Sequence, residues 1–165
     1  MPSPAAVGGW ALAAGAVGVG TAYAAGAFAA TYKNFDDYAN KNGFIYIGIV
    51  GDSDNNSVKK LLDEDKGTNK NGYRDLLKGV WNSMDDSGIT TPTKPKITND
   101  NDLSQLFPTT DTISKSSEIA AFTKAWCEIK KLKKLAEDKT WTEKTIKEDS
   151  EWGVFKSACL REKQA

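Results

Sequence analysis

An uncharged stretch near the start of the chain restricts its fold more than any other feature. Residues 5–32 contain no Asp, Glu, Lys or Arg over twenty-eight positions and consist mostly of Ala, Gly and Val. A helix of about twenty apolar residues is long enough to cross the hydrocarbon core of a bilayer. The stretch therefore predicts a transmembrane helix in contact with membrane lipid. It divides the chain into a membrane anchor or signal segment at 1–32 and a second domain at 33–165.

Two alternatives to a permanent anchor stay open for this segment. A secretory signal peptide would be cleaved after small residues, as in Ala22-Tyr23-Ala24 or Ala27-Phe28-Ala29. No basic residue precedes the apolar stretch, however, and the stretch is longer than the apolar part of a usual signal peptide. The other alternative is a buried Ala/Gly-rich helix of a soluble protein. The sequence leaves open whether the segment is cleaved.

Small residues recur at every fourth position of the apolar stretch. On a helix they form a narrow stripe that allows close packing against another membrane helix, although an Ala/Gly-rich composition also produces such stripes by chance. The stripe comprises Ala14, Gly18, Ala22, Gly26 and Ala30. Lys33 and Lys41 follow the stretch, which weakly favours a C-terminal side inside the cell. Long downstream domains translocate regardless of such charges, so the topology of the anchor stays open.

Hydrophobic spacing in residues 33–165 predicts a mainly α domain of three to four helices with one short strand and a long loop. The strand is FIYIGIV at 44–50, and a helix capped by Asp54 or Asn55 follows it through about Asp65. The next helix has apolar residues spaced by three and four positions, which is the spacing of one helix face. These residues are Tyr73, Leu76, Leu77, Val80, Trp81 and Met84.

The second half of this domain is predicted to be a loop followed by two helices. Residues 87–117 are rich in Ser, Thr, Pro, Asn and Asp, and their lack of periodicity predicts a flexible loop that Leu103, Leu106 and Phe107 pin at one point. A long helix spans 117–137, and a last helix begins near Ser150. The apolar face of the long helix comprises Ile119, Phe122, Ala125, Trp126, Ile129, Leu132 and Ala136. We expect a small core built from Trp81, Phe122, Trp126, Trp152 and Phe155.

Gly51-Asp52-Ser53 resembles the nucleophile segment of GDS-type esterases, in which a serine follows an apolar strand. A serine nucleophile needs a base, and the chain has no histidine, which removes the commonest base and the commonest metal ligand. Gly, Asp, Ser and Asn are also typical turn residues. We therefore favour a strand-to-helix turn and predict no catalytic residue, cofactor or metal site. A serine hydrolase that uses Ser53 is the alternative.

The charge and the cysteines add two further predictions. Lys and Arg total 22, as do Asp and Glu, so no strong field attracts nucleic acid, and KKLKK at 130–134 is predicted to be a solvated helix face. Cys127 and Cys159 are thirty-two residues apart on two predicted helices, which can run antiparallel and bring the sulfurs together. In an oxidising exterior we predict a disulfide, whereas two buried thiols are expected in a cytoplasmic domain.

Segments at both ends of the chain suggest a family. AFTKAWCE at 121–128, EWGVFKSACL at 151–160 and the opening MPSPAAVGGWALAAGAVGVG resemble the small paralogous surface proteins of haemotropic mycoplasmas, and YRDLLKGVW resembles their central helix. The resemblance implies exposure at the cell surface and supplies no catalytic or binding residues.

The leading functional hypothesis is a membrane-anchored surface protein without enzymatic activity. Its domain is expected to be extracellular and to meet a host or self protein, or the immune system, through residues 87–117. The alternatives are the Ser53 hydrolase and an accessory subunit of a membrane complex docked through the small-residue stripe. The identity of the partner and the oligomeric state do not follow from the sequence.

Overall fold

The computed structural model describes residues 30–96, 103–135 and 140–163. The chain divides into two compact units, Met1–Thr31 and Tyr32–Ala165. Within the described ranges, no helix has both the length and the apolar character needed to cross a membrane. Residues 5–29 of the predicted anchor lie outside those ranges, as do four members of the small-residue stripe, namely Ala14, Gly18, Ala22 and Gly26. The fifth member, Ala30, is exposed.

The second unit is mixed, with short helices and very short strands. Its described part has six α-helices: α1 (Phe35–Lys41), α2 (Val58–Glu64), α3 (Tyr73–Val80), α4 (Ser116–Lys130), α5 (Glu143–Lys147) and α6 (Ser150–Cys159). A 3-10 turn at Trp81–Ser83 continues α3. The strands are β1 (Thr31–Tyr32), β2 (Phe44–Tyr46), β3 (Trp141–Thr142) and β4 (Leu160–Glu162). The helices agree in part with the prediction, but the fold is mixed rather than mainly α, and three to four helices and one strand were too few.

Side-chain caps explain where several of these helices begin. The side chain of Asn34 accepts a hydrogen bond from the backbone N–H of Asp37 at 2.8 Å and caps the start of α1. The sequence shows no helical periodicity at this point. Ser57, and not Asp54 or Asn55, caps α2 by accepting the N–H of Lys60. These bonds satisfy backbone donors that the first turn of a helix leaves unpaired. The predicted cap was therefore wrong by two or three residues.

The strand predicted at 44–50 is shorter in the structure. β2 pairs antiparallel with β4, with Ile45 opposite Arg161, and β1 pairs with β3 in a separate two-stranded sheet. The Ile47 N–H donates to the carbonyl of Cys159 at 2.9 Å, which extends the contact past Tyr46. The chain then leaves the ladder in a turn. The C-terminal partner was not predicted, because 116 residues separate the paired positions Ile45 and Arg161.

All five predicted core aromatics are buried, namely Trp81, Phe122, Trp126, Trp152 and Phe155. Sequence reasoning missed the aromatic residues around α1, where Phe35 lies within 5.5 Å, centroid to centroid, of the rings of Trp141, Trp152 and Phe155. The long helix ends at Lys130 rather than near 137. Beyond its last turn Leu132 is 56% exposed, so the predicted apolar face was too long.

Residues 87–96 and 103–115 form turns and bends without helix or strand, as predicted for the loop. Leu106, Phe107 and Ile113 are nevertheless buried in the core. Arg74 fixes the same segment, because its guanidinium donates to the carbonyl oxygens of Pro108 and Asp111. The burial of Leu106 and Phe107 agrees with the predicted pinning point, and Ile113 and the bonds from Arg74 hold the segment at further points. The flexibility of 87–117 stays a prediction.

Candidate functional site

The disulfide predicted between Cys127 and Cys159 is confirmed. It joins the last turn of α4 to the end of α6, with the two Cα atoms 5.7 Å apart. Both residues are fully buried. Gly48 packs against this crosslink, because a Cβ placed there would lie 3.0 Å from the Cβ of Cys127. The bond thus lies in the core, where it ties the two principal C-terminal helices together.

Ser53 lies in an exposed turn that connects β2 to α2. Its neighbour Asp52 forms an ion pair with Lys124 of α4 at 3.1 Å. Within the part of the chain that the structure describes, no hydrogen bond links the Ser53 side chain to another residue. The geometry therefore shows no base in position to take the serine proton, which nucleophilic activation requires.

The lysines of KKLKK interact with acidic side chains. Lys130 contacts Asp85 at 3.0 Å and Glu151 at 2.6 Å, and Lys133 contacts Asp149 and Glu151 at 2.7 Å each. Burial alone would raise the pKa of Glu151, but hydrogen bonds from both lysines and their charges outweigh it, so that pKa lies below its ordinary value. Lys130 at the end of α4 and Lys133 just beyond that helix thus pair with acidic residues at the start of α6, and their charge is balanced locally. KKLKK is therefore not the solvated helix face that was predicted, because only Lys130 belongs to α4.

Arg161 is one of five described residues with a buried side-chain nitrogen or oxygen that has no hydrogen-bond partner, and it lines two cavities. It lies on β4, is half-buried, and stacks on the ring of Tyr73 with its Cζ atom 4.3 Å from the ring centroid. Throughout the described ranges, its guanidinium donates no hydrogen bond and forms no ion pair, and its Nη2 atom is buried without a partner. Burial lowers the pKa of Arg161, and the nearby Tyr73 and Asp65 partly offset that effect.

Two adjoining cavities share Arg161 and Glu162 in their walls, and we call them together the Arg161 groove. The Leu76 cavity has a volume of about 440 Å³, and its other lining residues are Phe44, Leu76, Lys156, Ser157 and Leu160. The Leu61 cavity has a volume of about 610 Å³, and its other lining residues are Ile45, Asn56, Leu61, Asn71 and Lys163. Volumes of this order are typical of sites for small molecules and short peptides.

Apolar side chains on the rim of the groove remain accessible to solvent. Leu76 is 44% exposed and Ile45 is 37% exposed, although the sequence placed Leu76 on the apolar stripe of its helix. Cations outnumber anions in the walls, since Arg161, Lys156 and Lys163 face a single carboxylate, Glu162. The groove thus combines apolar walls with a net positive charge.

Sequence reasoning missed the Arg161 groove entirely. One available signal was composition, because only Arg74 and Arg161 among the 22 basic residues are arginines. Arginine has a planar, weakly hydrated group that suits stacking and paired hydrogen bonds better than lysine does. In this fold Arg74 is buried and donates to three backbone carbonyls, although its Nη2 atom has no partner, whereas Arg161 lies on the Tyr73 ring and donates no hydrogen bond. Comparison with protein-family models, with curated proteins and with solved structures yields no match for this chain.

Proposed function

We propose that this chain is a membrane-anchored surface protein with a non-enzymatic interaction role, and that residues 33–165 lie on the extracellular side. The observation that carries the proposal is the Cys127–Cys159 disulfide. Disulfides persist in oxidising surroundings and are rare where cytosolic reductants keep thiols reduced. The uncharged segment at 5–32 supplies the anchor in this proposal, and its contact with lipid follows from its length.

The proposed interaction role is supported by accessible surfaces of the domain and not by a group of catalytic residues. The Ser53 turn shows no base at hydrogen-bonding distance, which disfavours the hydrolase alternative. The domain instead presents an irregular segment at 87–96 and 103–115 and a groove with accessible apolar walls. A cavity lined by apolar side chains with a charged group in its wall is typical of sites that bind another molecule. A host or self protein is the partner class that we propose.

Limited proteolysis of intact cells tests the location directly. Protease added outside should cleave within 87–117 without lysis, while a cytoplasmic marker protein in the same cells stays intact. Cleavage only after lysis would contradict an extracellular domain. The same cells serve for a carbonate wash, after which an anchored protein stays in the membrane pellet. A mature amino terminus at Ala25 or Ala30 would instead establish a cleaved signal peptide.

Two measurements decide between this proposal and its alternatives. Labelling by a fluorophosphonate probe that disappears in the Ser53→Ala variant would establish a hydrolase. Stoichiometric co-purification with one integral membrane protein, abolished by Ala22→Leu within the small-residue stripe, would establish an accessory subunit. We expect neither result, because the described fold shows no activated serine and the surface role requires no membrane partner.

A further inference from the structure

We propose that the Arg161 groove binds the C-terminal carboxylate of a peptide whose last residues are apolar. The proposal rests on the interaction role proposed above and specifies the chemistry of the partner. It concerns a different surface from residues 87–117. The binding contact is an ion pair between the peptide carboxylate and the guanidinium of Arg161, with the apolar side chains in the two adjoining cavities.

The guanidinium of Arg161 has no ion-pair partner among the described residues. A half-buried charge without a counter-ion is unfavourable, because it has lost part of its hydration without gaining a partner. Asp65 acts on Arg161 at longer range. The carboxylate of Asp65 is already engaged, since it accepts three backbone N–H groups at the start of α3 at distances of 2.7 to 3.2 Å. Within the described residues no acidic group forms an ion pair with Arg161, so its guanidinium can pair with the carboxylate of a ligand.

The geometry of Arg161 suits a carboxylate in particular. The two oxygens of a carboxylate match the fork of a guanidinium, and such charge-assisted pairs are stronger than neutral hydrogen bonds. Stacking on Tyr73 holds the guanidinium plane and reduces the entropy lost on binding. The surrounding charge favours an anion as well, because Lys156 and Lys163 each line one of the two cavities. Glu162 is 77% exposed and pairs with Lys156 at 3.4 Å, so among the described lining residues no carboxylate opposes Arg161 and Lys163.

The walls of the groove favour a peptide over a plain fatty acid. Each cavity holds an apolar side chain for a ligand to cover, Leu76 in one and Leu61 in the other. Each also holds a polar side chain, Ser157 and Asn56 respectively, for which the described structure shows no hydrogen bond. A peptide offers backbone amides to such groups, whereas a hydrocarbon chain would leave them unpaired. The charge of Arg161 and the polar side chains of Ser157 and Asn56 together therefore favour the C-terminal end of a peptide as the ligand.

Calorimetric titration of the full-length protein in lipid nanodiscs tests the proposal, with empty nanodiscs as the blank. The probes are acetyl-Leu-Leu with a free carboxylate, the same peptide as its carboxamide, and octanoate. The free acid should bind roughly 10- to 100-fold more tightly than the carboxamide, which is the range expected for hydrogen bonds to a charged group. Octanoate should bind more weakly than the free-acid peptide.

Two variants of equal charge change locate the contact. Arg161→Gln should remove the preference for the free acid, whereas Lys144→Gln should keep it, because Lys144 is an 81% exposed cation on α5. Circular dichroism and thermal melting check that Arg161→Gln is folded. Should that variant unfold, Arg161→Lys keeps the charge but loses the fork and should bind the free acid with an intermediate affinity.

Several results would overturn the proposal. Equal affinity for the free acid and the carboxamide would show that no carboxylate contact exists, and this comparison needs no variant. Octanoate binding as tightly as the peptide would make the ligand a fatty acid. Absence of binding up to about 1 mM, near the weak end of specific recognition, would leave the groove without this role. Because these titrations use purified protein, a failed location test by proteolysis stays distinguishable from a failed binding test.

Discussion

Replacing Gly48 by alanine would place a methyl group between Tyr46 and the disulfide. A Cβ at this position contacts the Oη and Cζ atoms of Tyr46 and lies 3.0 Å from the Cβ of Cys127. Neither Tyr46 nor Cys127 can move away without disturbing a bond that it forms. Tyr46 donates a 2.6 Å hydrogen bond to Glu128, and Cys127 is crosslinked to Cys159. The alanine therefore forces the packing around the crosslink to open.

The expected loss in the free energy of unfolding is the sum of two contributions. Overpacking a well-packed site costs roughly 1–3 kcal/mol. Displacing Tyr46 also breaks its bond to Glu128, which adds about 1 kcal/mol because both side chains are only partly buried. Burial and the Glu128 carboxylate both raise the pKa of Tyr46, so its hydroxyl stays a donor at neutral pH. We expect Gly48→Ala to lower the free energy of unfolding by about 2–4 kcal/mol.

Urea denaturation followed by tryptophan fluorescence measures this change. Gly51→Ala is the matched control, because a Cβ at Gly51 meets nothing within 4 Å, and its effect should stay within about 0.5 kcal/mol. A double-mutant cycle sharpens the test. In a Tyr46→Phe background Oη and its bond to Glu128 are already absent, while Cζ remains, so Gly48→Ala should cost at least about 1 kcal/mol less. An unchanged cost in that background, or a harmless Gly48→Ala, would refute the steric reasoning.

Three further changes can be measured in the same denaturation assay. Replacing Cys127 and Cys159 together by alanine should lower the free energy of unfolding by about 3.7 kcal/mol, from loop closure over the separation of 32 residues; an unchanged midpoint would contradict it. Arg74→Met should cost about 2–4 kcal/mol, since three carbonyl groups lose their donor. Wild-type stability in that variant would show that these bonds contribute nothing. The lowered pKa of Glu151 stabilises the fold above its ordinary pKa of 4.5, and that contribution is lost as the pH falls below it. Lys130→Met should reduce the loss of unfolding free energy as the pH falls. An unaltered dependence of this free energy on pH would argue that the Lys130–Glu151 pair does not stabilise the fold.

The long helices and the core could be predicted from the sequence for a physical reason. Helices α3, α4 and α6 have 8, 15 and 10 residues, so their apolar faces repeat over at least two turns. The aromatic residues on those faces pack together as expected. The disulfide was predicted from the same helices, because two such elements can reverse the chain and bring Cys127 and Cys159 together. Periodicity thus located the elements that are long enough to show it, although it placed Leu76 and Leu132 on apolar faces that the structure leaves exposed.

The short elements could not be predicted in this way. Helices α1 and α5 have 7 and 5 residues, which is too few for a period to appear. Their beginnings depend on the caps Asn34 and Thr142, which resemble ordinary turn residues in a sequence. Strand β4 forms only because β2 lies beside it, and the two are far apart in the chain. Pairing of this kind depends on the folded chain and not on local composition.

The Arg161 groove was hidden for a related reason. Its walls come from β2, from α2 and the loop after it, from α3 and from the end of α6 with β4. No local motif unites residues from so many elements. The exposed position of Leu76 also contradicts simple helical periodicity, because the helix turns this side chain toward the groove and away from the core. Only the scarcity of arginine pointed to Arg161 at all.

The redox state of Cys127 and Cys159 in living cells tests the proposed extracellular domain most directly. Intact cells are treated with a permeant alkylating reagent without prior reduction, and the protein is analysed by mass spectrometry. We predict that neither cysteine is alkylated and that a crosslinked peptide containing both is recovered. A parallel sample reduced before alkylation should carry both modifications. Two alkylated cysteines in the unreduced sample would contradict the crosslink in the cell and remove the observation on which the extracellular location rests.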